Sequence, residues 1–191
     1  MKRAPAVIAA MRLRESSRVM VATARTHGRQ FARAAAILTI ALKRGRKVLA
    51  CGNGGSASDA SHLVAELVGR FIRERRALPA IALGADTAVL TALGNDYGYA
   101  RSFARQVEAL AVPGDVLVAI STSGRSPNIL AAIAAARARG ASVIGLTSKK
   151  GRAMARRCDA AFVIPSRSTP RVQEAHIAVY HILCELIDEA L

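Results

Sequence analysis

A chain of 191 residues with 52% apolar types, 4% aromatics and no Trp fits one domain of ordinary size, with a core of Ala, Val, Ile and Leu. Its longest apolar stretch, AAAILTIAL at 34–42, is far short of the ~20 residues that cross a bilayer, which excludes a membrane span; the opening MKRAPAVIAAMRLR, broken by Arg12 and Arg14 with no small-residue cleavage site behind it, is not read as a secretory signal. The formal charge of +15 is lopsided: residues 1–47 carry a net +11, with Glu15 their single acid, and the remainder only +4.

In chain order, a frayed start leads into two amphipathic helices over 9–43, broken near Gly28. Their excess of Arg reads as a solvated helix face, with an electropositive rim for anionic ligands or a contact with nucleic acid or an acidic protein as the alternatives. Phe31 is the lone aromatic there, so nucleic acid is disfavoured as a partner. From Lys47 the pattern changes to short apolar runs at 47–51, 80–83, 116–120, 142–146 and 161–164, each followed by a loop and a helical segment. Strands alternating with helices mean βαβ units, hence an α/β fold with a parallel sheet covered on both faces. No repeat or linker divides the chain, so 1–46 is a basic helical segment of the same domain as 47–191. Cys51, Cys158 and Cys184 are odd in number, widely spaced and flanked by apolar residues; they suggest no disulfide framework and no thiolate metal site, but buried thiols of a cytosolic protein.

The stretch ISTSGRSPN at 120–128 carries the first ligand signal. It reads as the end of a strand, a loop over 121–126 and a helix over 127–139, with Pro127 at the first helical position and Ser126 as N-cap. Ligands of open α/β sheets sit beyond the carboxyl ends of strands, where helix N-termini offer free N–H groups and partial positive charge. Ser121, Thr122, Ser123 and Ser126 make that loop a cradle for a phosphate monoester; the plainer alternative is a hydroxyl-rich turn that only caps its helix. A second loop, CGNGGSAS at 51–58, also joins a strand to a helix, and Gly52, Gly54 and Gly55 let the backbone approach a ligand closely. It lacks the Lys-Ser/Thr of a P-loop and a complete G-x-G-x-x-G. Two such loops on one sheet favour a small phosphorylated metabolite over a dinucleotide.

His62 and Glu66, four apart in the helix after the second loop, share a face: metal-ligand or acid–base spacing, or an ordinary surface pair. The last helix offers Gln173, Glu174, His176 and His181. At about 100° per residue, Gln173 and His181 are roughly 80° apart and Glu174 and His181 closer to alignment, so spacing alone does not choose among them.

CGNGGSASDASHLVAELVGRF, LPAIALGADTAVLTALGNDYGYARSFARQVEAL, PGDVLVAISTSGRSPN and TPRVQEAHIAVYHILCELID together resemble the bacterial phosphoheptose isomerases of the sugar isomerase (SIS) superfamily, over 47–191. The resemblance implies a single SIS domain with a flavodoxin-like five-stranded parallel sheet, and a cytoplasmic homotetramer built through its helices, the N-terminal ones included, with active sites at subunit interfaces. It implies conversion of D-sedoheptulose 7-phosphate to D-glycero-D-manno-heptose 7-phosphate through an enediol, opening nucleotide-activated heptose synthesis for the cell envelope. It implies a zinc ion in each subunit held by His62, Glu66, Gln173 and His181, with Glu66 and His181 as the catalytic pair. The phosphate falls to Ser121, Thr122, Ser123 and Ser126; the sugar falls to Asn53, Gly54, Gly55, Asn95 and Asp96, with Glu66 and Gln173 also touching substrate. As a weaker candidate, the resemblance would have Arg70 reach a neighbouring subunit's phosphate. The alternative is a non-catalytic SIS-fold binding protein, a sugar-phosphate sensor or a partner of the replication initiator. The initiator-associated group lacks the catalytic Glu and His, and both stand here. Ser58, Ser61 and the basic SRST at 166–169 depart from the common isomerase pattern.

Overall fold

The structure, a computed structural model, describes residues 4–191. Two helices, α1 (Pro5–Thr26) and α2 (Gly28–Lys43), precede the alternating part. Then follow β1 (Val48–Cys51), α3 (Gly55–Val68), β2 (Ala80–Ala82), α4 (Thr87–Tyr97), α5 (Ser102–Leu110), β3 (Val116–Ile120), α6 (Pro127–Ala138), β4 (Ser142–Ser148), α7 (Arg152–Ala155), β5 (Ala160–Ile164) and α8 (Thr169–Ala190). The strands form one sheet in the order β2-β1-β3-β4-β5, all pairs parallel, the flavodoxin-like order.

The apolar runs become strands because both faces of the sheet are covered. Val48, Ala50, Val116, Val118 and Ile120 point into a core shared with Leu38, Leu42, Leu63, Leu67, Tyr180 and Leu183 of α2, α3 and α8. Their neighbours Leu49, Cys51, Leu117 and Ala119 point the other way, against Phe103, Val107, Ile129, Ile133 and Met154 of α5, α6 and α7. Alternate residues therefore serve opposite layers, as a pleated strand requires.

Several boundaries differ from expectation. Helix α1 begins at Pro5 rather than near residue 9, with proline at its first position, where the missing N–H costs nothing. The break falls at His27 instead of Gly28. The His27 backbone N–H closes α1 on the Thr23 carbonyl, and its buried ring accepts the Val163 N–H of β5 through Nε2 at 3.0 Å. A tertiary contact thus fixes the kink. Strand β4 runs on to Ser148 and β2 stops at Ala82. Cys51 and Cys184 are buried, but Cys158 is only half-buried; burial pushes all three thiols up to about 12.

One side chain ties the far ends of α3 and α8 together. Arg75 donates to Asp188 at 2.7 Å and to the carbonyls of Glu66 and Leu67, with Gly69 and Arg76 also within reach. Burial alone would raise the Asp188 carboxyl; the Arg75 bond and the N–H groups of Arg73 and Ile72 outweigh it and hold that carboxyl below the usual range.

Candidate active site

Strands β1 and β3 are adjacent, yet α3 after β1 and α6 after β3 cover opposite faces. The two predicted loops therefore flank the switch point of the sheet, where open α/β folds bind ligands. In the loop after β1, Gly54 adopts φ +56°, a conformation that favours glycine. Asn53 and Asn128 exchange hydrogen bonds through their carboxamides at 3.0 and 2.9 Å, and the Tyr99 hydroxyl donates to Asn53 Oδ1 at 2.8 Å. Asn128 is buried and Asn53 half-buried, and this reciprocal pair laces the two loops together. Asn128 and Tyr99 were missed in the sequence, although Asn128 closes the hydroxyl-rich stretch itself; partners 75 and 46 residues away leave no local signal.

Ser126 does occupy the N-cap of α6, but its hydroxyl makes no capping bond. It lies 3.3 Å from the Ser121 hydroxyl, while Asn128 Oδ1 takes the Ile129 N–H. Ser121 is buried and shapes the loop: its Oγ accepts the Gly124 N–H at 3.0 Å and its carbonyl accepts the Thr147 hydroxyl at 2.7 Å. Thr122 and Ser123 instead line a recess of about 40 Å³. The loop thus does more than cap a helix.

The ionisable group lies further along α3 and α8. His62, Glu66 and His181 bring one ligand atom each within 4.8 Å of one another. His62 Nε2 is 2.9 Å from Glu66 Oε1 and 3.4 Å from His181 Nε2. Four ligands about 2.1 Å from a zinc ion stand about 3.4 Å apart in a tetrahedron, so these nitrogen and oxygen donors fit a metal ion. Tyr180, buried beside them, has its hydroxyl 2.9 Å from His62 Nδ1. With Nε2 as ligand, Nδ1 carries the proton and donates to the phenol oxygen, which fixes the tautomer and the ring. Burial, then the neighbouring His62, pushes the His181 imidazole below its ordinary value, against the pull of Glu66 and Glu185. Asp59, one turn before His62 and buried with one oxygen unpartnered, is pushed up to about 6 by burial, with His62 opposing.

The remaining predicted residues are less gathered. The Gln173 amide rests on Gly55: a Cβ there would meet its Nε2 at 2.3 Å, so only glycine lets that amide sit against the loop. Asn95 and Asp96 are exposed at the end of α4 and bond to each other at 2.8 Å. Arg70 is exposed and faces Glu74 at 3.5 Å. A cleft of about 850 Å³ between α2, α7 and β5 holds none of the predicted site residues.

Residues 13–148 match the family model described as the SIS domain. With two polar loops at the switch point of this sheet, the chain belongs to the SIS-domain family. Within it the relatives are specific: it is 61% identical to a phosphoheptose isomerase of Nitratiruptor sp. over 150 residues, 78% of this chain and 80% of that one. The structure of phosphoheptose isomerase GmhA from Neisseria gonorrhoeae superposes with a TM-score of 0.92 at 40% identity, covering 97% of this chain and 100% of that one. A phosphoheptose isomerase from Francisella tularensis gives 0.93 at 37%, covering 98% and 100%. The chain is a member of the phosphoheptose isomerase family.

Proposed function

We propose that this protein interconverts D-sedoheptulose 7-phosphate and D-glycero-D-manno-heptose 7-phosphate through an enediol, the step that opens heptose supply for a bacterial cell envelope. The observation that carries the reading is the cluster of His62, Glu66 and His181 on two facing helices, in a chain whose relatives bear that enzyme's name. Glu66 takes the proton from C1 of the open-chain ketose and returns it to C2, one carboxylate serving both moves. His181 passes the hydroxyl proton between O1 and O2 as the carbonyl shifts, and its lowered basicity keeps the imidazole neutral and able to accept. His62, Glu66 and His181, with Gln173 brought from its rest on Gly55 as a fourth ligand, would hold a zinc ion, which would supply Lewis acidity at the ketone.

The phosphate rests on the loop of Ser121, Thr122, Ser123 and Ser126, and the sugar runs past Asn53, Gly54, Gly55 and Gln173. Asn95, Asp96 and Arg70 are exposed and suit contacts that a neighbouring copy completes. Exposed Val7, Ile8, Leu13 and Val21 on α1, and an α4 that buries no residue, are apolar surface that a homotetramer would cover. No helix among the described residues is long and apolar enough to cross a membrane.

The test is sedoheptulose 7-phosphate with the purified protein in deuterated water, followed by NMR at C1 and C2 with and without chelator. Deuterium in the sugar together with aldose supports the reading, and the chelator arm measures the need for metal. No exchange by the folded, metal-loaded protein would overturn it in favour of a non-catalytic SIS protein.

A further inference from the structure

The recess beside Thr122 and Ser123 is also lined by Lys150, from the turn after β4, by Arg167, from the turn into α8, and by Thr169, the first residue of that helix. Its volume of about 40 Å³ holds about three water-sized groups, the number of free oxygens on a phosphate monoester. Thr169 is the first residue of a 22-residue helix whose N-cap, Ser168, supplies no side-chain capping bond. Free N–H groups and partial positive charge therefore stand at the same place. The hydroxyls of Thr122 and Ser123 are neutral, and Arg125 of their own loop does not line the recess. A phosphate monoester carries close to two negative charges at pH 7, which hydroxyls and helix ends alone leave largely uncompensated. Lys150 and Arg167 are exposed, and neither pairs with a carboxylate among the described residues.

We propose that Lys150 and Arg167 form a cationic clamp on the substrate phosphate, set on two segments outside the hydroxyl loop, so that charge governs this protein's preference for phosphorylated over neutral sugars. The clamp rests on the phosphate placement argued above. It assigns a role to the basic SRST turn, in which Arg167 meets a lysine from seventeen residues earlier across the recess. Recognition is divided: the loop orients the phosphate through hydrogen bonds, and the clamp neutralises it. The two cations contact only the remote end of the sugar, so their contribution is equal in ground and transition states and appears in KM rather than kcat.

The test is titration of the full-length protein with inorganic phosphate, followed by calorimetry at two salt concentrations, for wild type, Lys150→Gln, Arg167→Gln, the double variant and a Lys149→Gln control. Each clamp substitution is expected to weaken phosphate roughly tenfold, the double variant more, with a flatter salt dependence, while the control stays within twofold. With sedoheptulose 7-phosphate, KM is expected to rise in parallel at unchanged kcat. Phosphate binding by the double variant within twofold of wild type, or no phosphate binding by wild type, would overturn the clamp. If wild type shows no isomerisation but loses phosphate on double substitution, the clamp stands as an anion site and the enzymatic reading alone falls.

Discussion

The two halves of the candidate site are built on different terms. Around the loops, Asn53, Asn128, Tyr99, Ser121, Gly124 and Thr147 satisfy one another through short hydrogen bonds, and much of that lattice is buried. Around His62, Glu66 and His181 the ionisable atoms crowd together, with His62 exposed, and two imidazole nitrogens face each other at 3.4 Å. The first arrangement is closed by hydrogen bonds within the protein, whereas the second, beyond the 2.9 Å contact of His62 with Glu66, gathers three donor atoms that a metal ion would bind. On the proposed reading, a preorganised grip is joined to a chemical centre that a bound metal would finish.

The sharpest way to break this contrast is at Glu66. Glu66→Gln keeps the shape but removes the proposed base, so turnover is expected to fall about a thousandfold with phosphate affinity retained, measured by the deuterium assay beside calorimetry. Full activity in that variant would remove Glu66 from its role.

Acid should strike the other half. His176 is fully buried under the loop, its Nε2 3.3 Å from the Thr147 carbonyl and its Nδ1 without a partner. Burial pushes its imidazole down from 6.5 to about 4, with the Thr147 bond opposing. The unfolded chain therefore takes up a proton between about 6.5 and about 4 that the folded chain refuses, and stability falls as pH drops through that window, levelling off below it. The loss approaches roughly 3 kcal/mol. Urea unfolding at pH 7 and pH 4 measures it, and His176→Gln is expected to flatten the dependence.

Asn128→Ala removes both carboxamide bonds to Asn53 and leaves buried groups unpaired, a cost of about 2 kcal/mol, read by denaturant midpoint. Its metal affinity should not change. Tyr180→Phe does the reverse: it deletes the acceptor for His62 Nδ1 and should weaken metal roughly tenfold in a chelator competition, with little loss of stability. Equal effects of both substitutions on both readouts would dissolve the distinction between grip and centre.

Much of the scaffold was legible because parallel strands buried on both faces leave continuous apolar runs, and β1, β3 and β4 are such runs. Pro127 after Ser126 marks the start of α6 by steric rules that hold in any context. His62 and Glu66 declared a shared face by spacing alone. Gln173, Glu174 and His176 did not sort themselves, because their directions depend on how α8 packs: His176 turns into the core, Glu174 is held by Arg171 and Ser16, and Gln173 rests on Gly55. The kink at His27 was misplaced by one residue, since its cause is a strand 136 residues away. Likewise nothing near Lys150 in the chain announces Arg167.

The bond from Arg75 to Asp188 bears on how the protein fails. Arg75 also holds the carbonyl of Glu66 itself, so one guanidinium sets the spacing between the helices that carry Glu66 and His181. That anchorage lies at the ends of α3 and α8, remote from the lattice around Asn53 and Asn128. Gentle warming would release the end of a helix before the middle of a sheet. The protein would then lose its chemistry while still holding its phosphate, and an inactivated preparation would look folded and ligand-competent by every measure except turnover.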